Sequence, residues 1–149
     1  MRKGYDIREL IKTIGDIIDA PSGLNVAIIG MGNLGRAITG YFMGKRTKLN
    51  VVAAFDIDPQ KVDKVVSGVK CYHFDNFKRL RHELDITIGV LTVPPDQGKA
   101  VTAQLVSYGI KGILNFTTVS LNVPENVYLE EFDMITSIEK VAYFVKENQ

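Results

Sequence analysis

Apolar positions along the chain fall into strand-sized runs, separated by stretches whose apolar residues recur at helical spacing. Ile7, Leu10, Ile11, Ile14 and Ile18 follow an i, i+3, i+4, i+7, i+11 pattern, with Asp6 as a cap and Pro21-Ser22-Gly23 as a stop. Val26-Ala27-Ile28-Ile29 then reads as a buried strand, and a helix is predicted from about Asn33 to Tyr41 or slightly beyond. A second strand covers Val51 to Asp56. Asp58 and Pro59 have the chemistry of an N-cap and a first helical residue, which predicts a short helix ending near Gly68. Val69-Lys70-Cys71-Tyr72 is a short third strand, and Asp75 is placed as the cap of a helix through Phe77, Leu80 and Leu84. The continuous run Ile86 to Val93 has the pattern of a central parallel strand covered on both faces. Pro94-Pro95 ends it and opens a helix with Val101, Leu105 and Val106 inward, stopped by Gly109. Gly112 to Phe116 is a fifth strand and Val127 to Phe132 a last one. Asp133 caps a final helix bearing Ile135, Ile138, Ala142 and Val145, widened by Val141 and Phe144.

Strands alternating with helices at this spacing predict an α/β fold: a Rossmann-like, doubly wound, mostly parallel sheet with an extra N-terminal helix and a C-terminal helix. The expected units are a lead-in helix and linker over 1–23, a nucleotide-binding domain over 24–132 and a dimerisation helix over 133–149. The first helix fits either packing on its own sheet or a lead-in from an upstream domain. The broad apolar face of the last helix needs a cover, supplied by its own sheet or by a partner subunit.

The chemistry concentrates at Gly30-Met31-Gly32-Asn33-Leu34-Gly35, between the first strand and its helix. Gly30 permits the turn, Gly32 lets a pyrophosphate approach the backbone, and Gly35 lets the helix pack closely on the strand. The helix start offers free N–H groups and the positive end of its dipole to phosphates. Asp56 ends the second strand about 20 residues past Gly35, where a ribose-binding acid is expected. Ile57 and Asp58 border that position, although Asp58 reads first as a cap. Ligand is expected across the strand carboxyl ends at Gly30, Asp56, Thr92-Val93-Pro94 and Asn115-Phe116-Thr117.

The 149 residues, 46% hydrophobic and 23% charged, suit one compact domain, and the net charge of +1 gives no general attraction to nucleic acid or anionic membrane. One cysteine, Cys71, fits a reducing cytoplasm and excludes an internal disulfide. No run is long enough for a membrane helix. The basic stretch Gly44-Lys45-Arg46-Thr47-Lys48 reads as a solvated turn, with phosphate binding as its alternative. His73 follows a short strand and His82 lies in a charged helix face; neither sits at a predicted strand carboxyl end with an orienting acid. With no metal-ligand spacing and no nucleophile elbow, a cofactor site without a reaction centre points to a sensor rather than an enzyme.

The stretch Val26 to Ala37, with Ala53-Ala54-Phe55-Asp56-Ile57-Asp58-Pro59, Gly109 to Phe116 and the closing Val141-Ala142-Tyr143-Phe144, resembles the bacterial redox-sensing repressor family Rex. The similarity runs from Gly4-Tyr5-Asp6 to Phe144. It implies an NAD(H)-binding regulatory domain of a homodimeric transcriptional repressor that exchanges its C-terminal helix with the partner. NADH would lower operator affinity, and operator DNA would be bound only through a winged-helix domain that should precede Gly4 and is missing here. By the same resemblance, Gly30 to Gly35 match the pyrophosphate loop and Asp56 the adenosine-ribose acid. Thr92, Val93 and Pro94, with Asn115, Phe116 and Thr117, match the borders of the nicotinamide half. Tyr41 and Asp133 match a pair coupled to the redox switch, and Met134 stands where the family can carry phenylalanine. A small NAD-dependent oxidoreductase and a CoA-binding domain like that of acyl-CoA synthetases are the alternatives.

Overall fold

The computed structural model describes residues 23–43 and 48–149. The predicted first helix and most of the basic loop lie outside these residues. Seven strands form one sheet in the order β3-β4-β2-β1-β5-β6-β7. They are β1 (Leu24–Ile29), β2 (Leu49–Asp56), β3 (Val65–Val66), β4 (Val69–His73), β5 (Ile86–Leu91), β6 (Gly112–Asn115) and β7 (Tyr128–Glu131). Only the β3–β4 pair is antiparallel. Without β3, the order is that of the doubly wound dinucleotide fold. The helices are α1 (Asn33–Met43), α2 (Phe77–Glu83), α3 (Gly98–Ser107) and α4 (Met134–Glu147).

The two-residue period of β1 divides the core. Ala27 and Ile29 join one cluster with Phe55, Phe77, Leu91 and Leu105, while Val26 and Ile28 join another with Ala54, Cys71 and Val90. The sheet is therefore apolar on both faces, as its continuous hydrophobic runs require. Ile29 is level with Phe55 of β2 and Leu91 of β5, so the carboxyl ends of the three central strands finish together. The topological switch lies between β1 and β5, where such sheets open a crevice.

Three local expectations change. No helix follows Asp58. Its Oδ1 accepts from the Gln60 amide at 2.9 Å, and Lys61 N–H donates to Asp58 O at 3.0 Å, closing a turn. Val65-Val66 then pairs back onto β4 through Ser67 (φ 51°) and Gly68 (φ 81°). Two central residues with positive φ make the hairpin turn that favours antiparallel pairing. β-Branched valines before Ser-Gly outweigh a helix too short to nucleate well. Asp75 does not cap α2: Asn76 stands at its N-cap with no side-chain capping bond, and a single 3-10 turn over Phe74–Asn76 precedes it, capped by His73, whose Nδ1 accepts from the Asp75 amide at 3.0 Å. His73 does therefore end a strand beside an acid, its Nδ1 engaged by the Asp75 amide and 3.4 Å from Asp75 Oδ2.

Asp133 caps α4 as expected, accepting from Thr136 N at 3.0 Å and from its hydroxyl at 2.6 Å. These bonds hold the Asp133 carboxyl below its ordinary range. No residue of α4 is buried. Its large apolar side chains, from Met134 to Val145, are 53–70% exposed, so its own sheet does not cover it.

Candidate functional site

β1 delivers Gly30 to the switch point. There the Gly30 amide donates to Phe55 O at 2.7 Å, and the Thr92 amide donates to Ile29 O at 2.8 Å. Gly30 has φ 105°, and a Cβ there would meet the Thr92 carbonyl at 2.8 Å, so only glycine suits this turn. Thr92 Oγ1 lies 2.7 Å from Gly30 O and 3.0 Å from Ile29 O and donates its proton into that pair. Gly35 is required by close approach: a Cβ would fall on the Gly30 carbonyl oxygen. Gly32 differs from both, because a Cβ there meets only Lys61 Nζ, at 3.8 Å. The space in front of Gly32 is open, as a phosphate-binding backbone needs.

The first bond into α1 runs from Arg36 N–H to Gly32 O at 3.0 Å, leaving the preceding amides for a ligand or solvent. The Asp56 carboxylate faces this loop. Its Oδ2 accepts from the Met31 amide at 2.7 Å and its Oδ1 from the Asp58 amide at 2.9 Å. Each oxygen keeps a further lone pair, so the acid both fixes the glycine loop and can accept from a hydroxyl.

A cleft of about 590 Å³ opens here, bordered by Gly30, Gly32, Asn33, Leu34, Asp56, Ile57, Asp58, Thr92, Val93 and Pro94. The structure thus gathers most of the expected residues from the ends of three strands. Met31 is buried beneath the loop, and Gly35 underlies it as packing. Asn115, Phe116 and Thr117 are not brought to this cleft. Asn115 is buried, donating to Val119 O at 2.9 Å and accepting from the Thr117 amide and hydroxyl at 2.9 and 2.7 Å. Phe116 packs on Phe132 with ring centroids 5.0 Å apart. Tyr41 and Met134 are exposed, and Asp133 is occupied as the α4 cap.

Lys61, Phe74, Gln97 and Val101 also line the cleft, though the glycine motif does not mark them. Lys61 arrives through the turn that replaces the expected helix, and the other three through the fold alone. Among the described residues no cluster of His, Cys, Asp and Glu could hold a metal ion, and no helix is long and apolar enough to cross a membrane. Cys71 is buried, and burial, with the nearby Asp56 charge, raises its thiol pKa to about 11. That thiol is a packing group and a poor nucleophile.

The geometry is that of a dinucleotide cradle, and the relatives agree. Residues 22–119 match the family described as CoA binding domain. The redox-sensing transcriptional repressor Rex of Anoxybacillus flavithermus is 39% identical over 144 residues, covering 96% of this chain and 67% of the relative. Rex of Lactobacillus acidophilus is 34% identical, covering 97% of this chain and 70% of the relative. The chain thus spans about two thirds of the length of the relatives it matches. The crystal structure of RSP in complex with beta-NADH superposes with TM-score 0.82 at 31% identity, covering 99% of this chain and 72% of that one. RSP, a Rex-family repressor, in complex with beta-NAD+ and operator DNA gives 0.83 at 32%, covering 97% and 67%. A scyllo-inositol dehydrogenase shares the fold alone, with TM-score 0.58 at 15% identity. From the strand order through the glycine loop to these likenesses along nearly its whole length, the chain belongs to the Rex family of redox-sensing transcriptional repressors.

Proposed function

We propose that this domain binds NAD(H) in the cleft between β1, β2 and β5 and reports the NADH/NAD+ ratio, with no turnover, as the regulatory part of a Rex-type repressor. The observation that carries this reading is the meeting of an open Gly32, the free amides of the α1 start and the Asp56 carboxylate at one strand-end cleft. Gly30 to Gly35 would hold the pyrophosphate, and Asp56, with Ile57 and Asp58, the adenosine ribose. Thr92, Val93 and Pro94 would border the nicotinamide half. Asn115, Phe116 and Thr117 would support that border from behind, through the turn Asn115 ties. When bound, the cofactor supplies a redox-dependent shape and charge. The chain's residues hold it and convert its state into a subunit arrangement.

That arrangement is proposed to be a homodimer in which α4 packs on the partner subunit. A capped, 14-residue helix with its apolar residues in solvent needs such a cover. Exchange of a terminal element gives a closed two-fold assembly. Tyr41, with Asp133 and Met134 at the root of α4, would then couple cofactor state to the dimer. Operator DNA would be bound through a winged-helix region outside these residues, and NADH would relieve repression by favouring one dimer geometry.

Calorimetric titration with NADH, NAD+, NADPH and CoA tests the reading. NADH binding tighter than NADPH and CoA is expected. Tight CoA binding with no NADH binding would replace it with the CoA alternative, and sustained hydride transfer to an added substrate would replace the sensor with an oxidoreductase.

A further inference from the structure

The turn that replaces the expected helix after Asp58 carries Lys61 back over the glycine loop. Its Nζ stands 3.8 Å from where a Cβ on Gly32 would be, and Gly32 is the point at which a phosphate can come closest to the backbone. Backbone bonds set its position: the Asp58 amide donates to Asp56 Oδ1 at 2.9 Å and the Lys61 amide to Asp58 O at 3.0 Å. The ribose acid and the lysine are thus held by one short turn. The carboxylates nearest in sequence are engaged elsewhere. Asp58 Oδ1 accepts from the Gln60 amide at 2.9 Å, and Asp63 Oδ1 lies 3.7 Å from Lys70 Nζ. Among the described residues Lys61 forms no ion pair. Lys61 borders both the main cleft and a smaller cavity of about 160 Å³, which Arg36, Lys64 and Asp58 also line.

We infer that Lys61 is a pyrophosphate-binding residue: its ammonium closes over the diphosphate bridge of the dinucleotide opposite the Gly32 backbone. This rests on the reading of the cleft as an NAD(H) site. The glycine loop supplies amide dipoles on one side only, and a diphosphate brings two negative charges into a partly enclosed space. An unpaired ammonium at this distance supplies the missing full charge, and a charge-assisted bond is stronger than an amide bond alone. Lysine serves here as a point charge and needs no planar fork.

The test compares the 149-residue chain with Lys61→Met, Lys61→Gln and Lys61→Arg, using calorimetry with NADH, ADP-ribose and adenosine, and circular dichroism to verify folding. Both neutral variants should weaken NADH and ADP-ribose by about tenfold, the scale of one charge-assisted bond in a partly exposed site. Adenosine, which has no phosphate, should bind as in the parent chain, and Lys61→Arg should stay close to parent affinity for all three. Folded neutral variants that bind NADH as the parent does would overturn the role of Lys61 and leave the cleft assignment intact. An equal loss for adenosine would also overturn it, by placing the effect on the ribose pocket or the turn. A parent chain that binds neither NADH nor ADP-ribose would overturn the cleft assignment itself, and the lysine role with it.

Discussion

Two of the three loop glycines are required by close backbone contact and one, Gly32, faces open space, which separates folding from the proposed binding role. A Cβ on Gly32 touches only the flexible end of Lys61, at 3.8 Å, and its φ lies outside the left-handed region. Gly32→Val should therefore change stability by less than about 1 kcal/mol, as surface substitutions do. In the bound state the branched side chain would occupy the space in front of the loop amides. Forced overlap of this kind costs about 1–3 kcal/mol, so NADH affinity should fall about 5- to 150-fold. Gly35→Ala behaves oppositely. Its Cβ would land on the Gly30 carbonyl oxygen, 3.0 Å from the Gly30 carbonyl carbon and 3.1 Å from Thr92 Oγ1. Backbone cannot yield as a lysine tip can, so a loss of about 1–3 kcal/mol in urea unfolding is expected. Circular dichroism in urea and NADH titration on both variants complete the assay. A Gly32→Val chain that binds NADH normally, or a Gly35→Ala chain as stable as its parent, would refute the reasoning.

Asp56→Ala should weaken NADH by about 1.5–3 kcal/mol, the range for bonds to a charged group, and should narrow the preference over NADPH; equal NADH and NADPH affinity in the parent chain would remove the basis for this. Deleting the chain after Asp133 should turn a dimer into monomers or aggregates by sedimentation, since each buried aliphatic of α4 is worth about 1.5–3 kcal/mol; a parent chain that sediments as a monomer at micromolar concentration contradicts helix exchange. Cys71 should resist a thiol reagent at pH 8 until urea exposes it, because its thiol is raised from 9.0 to about 11. With the folded value raised, its contribution to stability is full below about 9 and declines as pH climbs towards 11; rapid labelling of the folded chain at pH 8 would contradict this.

The sequence by itself determined the parallel sheet and the strand end at which the cleft opens. Continuous apolar runs such as Ile28-Ile29 and Val90-Leu91 must be buried on two faces, and a glycine turn after the first of them can only sit at a strand end. Asp133 was legible as a cap because a side-chain oxygen three residues from an amide is a local interaction. The segment 57–68 was not legible in the same way. Asp58-Pro59 has real capping chemistry, but the outcome turned on β4 being available as a pairing partner for Val65-Val66, a contact local rules do not see. Asp75 fails to cap α2 for a related reason: β4 runs one residue further than its apolar pattern, and the strand end placed the imidazole Nδ1 over the Asp75 amide, which opens a 3-10 turn ahead of the helix. Tertiary structure alone decided that Asn115 spends its polar atoms on the turn after β6 and on Glu131 of β7 while Phe74, Gln97 and Val101 reach the cleft. It also decided that α4 leaves its own sheet uncovered by it. An amphipathic stripe states that a face must be buried, but which surface buries it depends on where the preceding strand ends and how the chain leaves it.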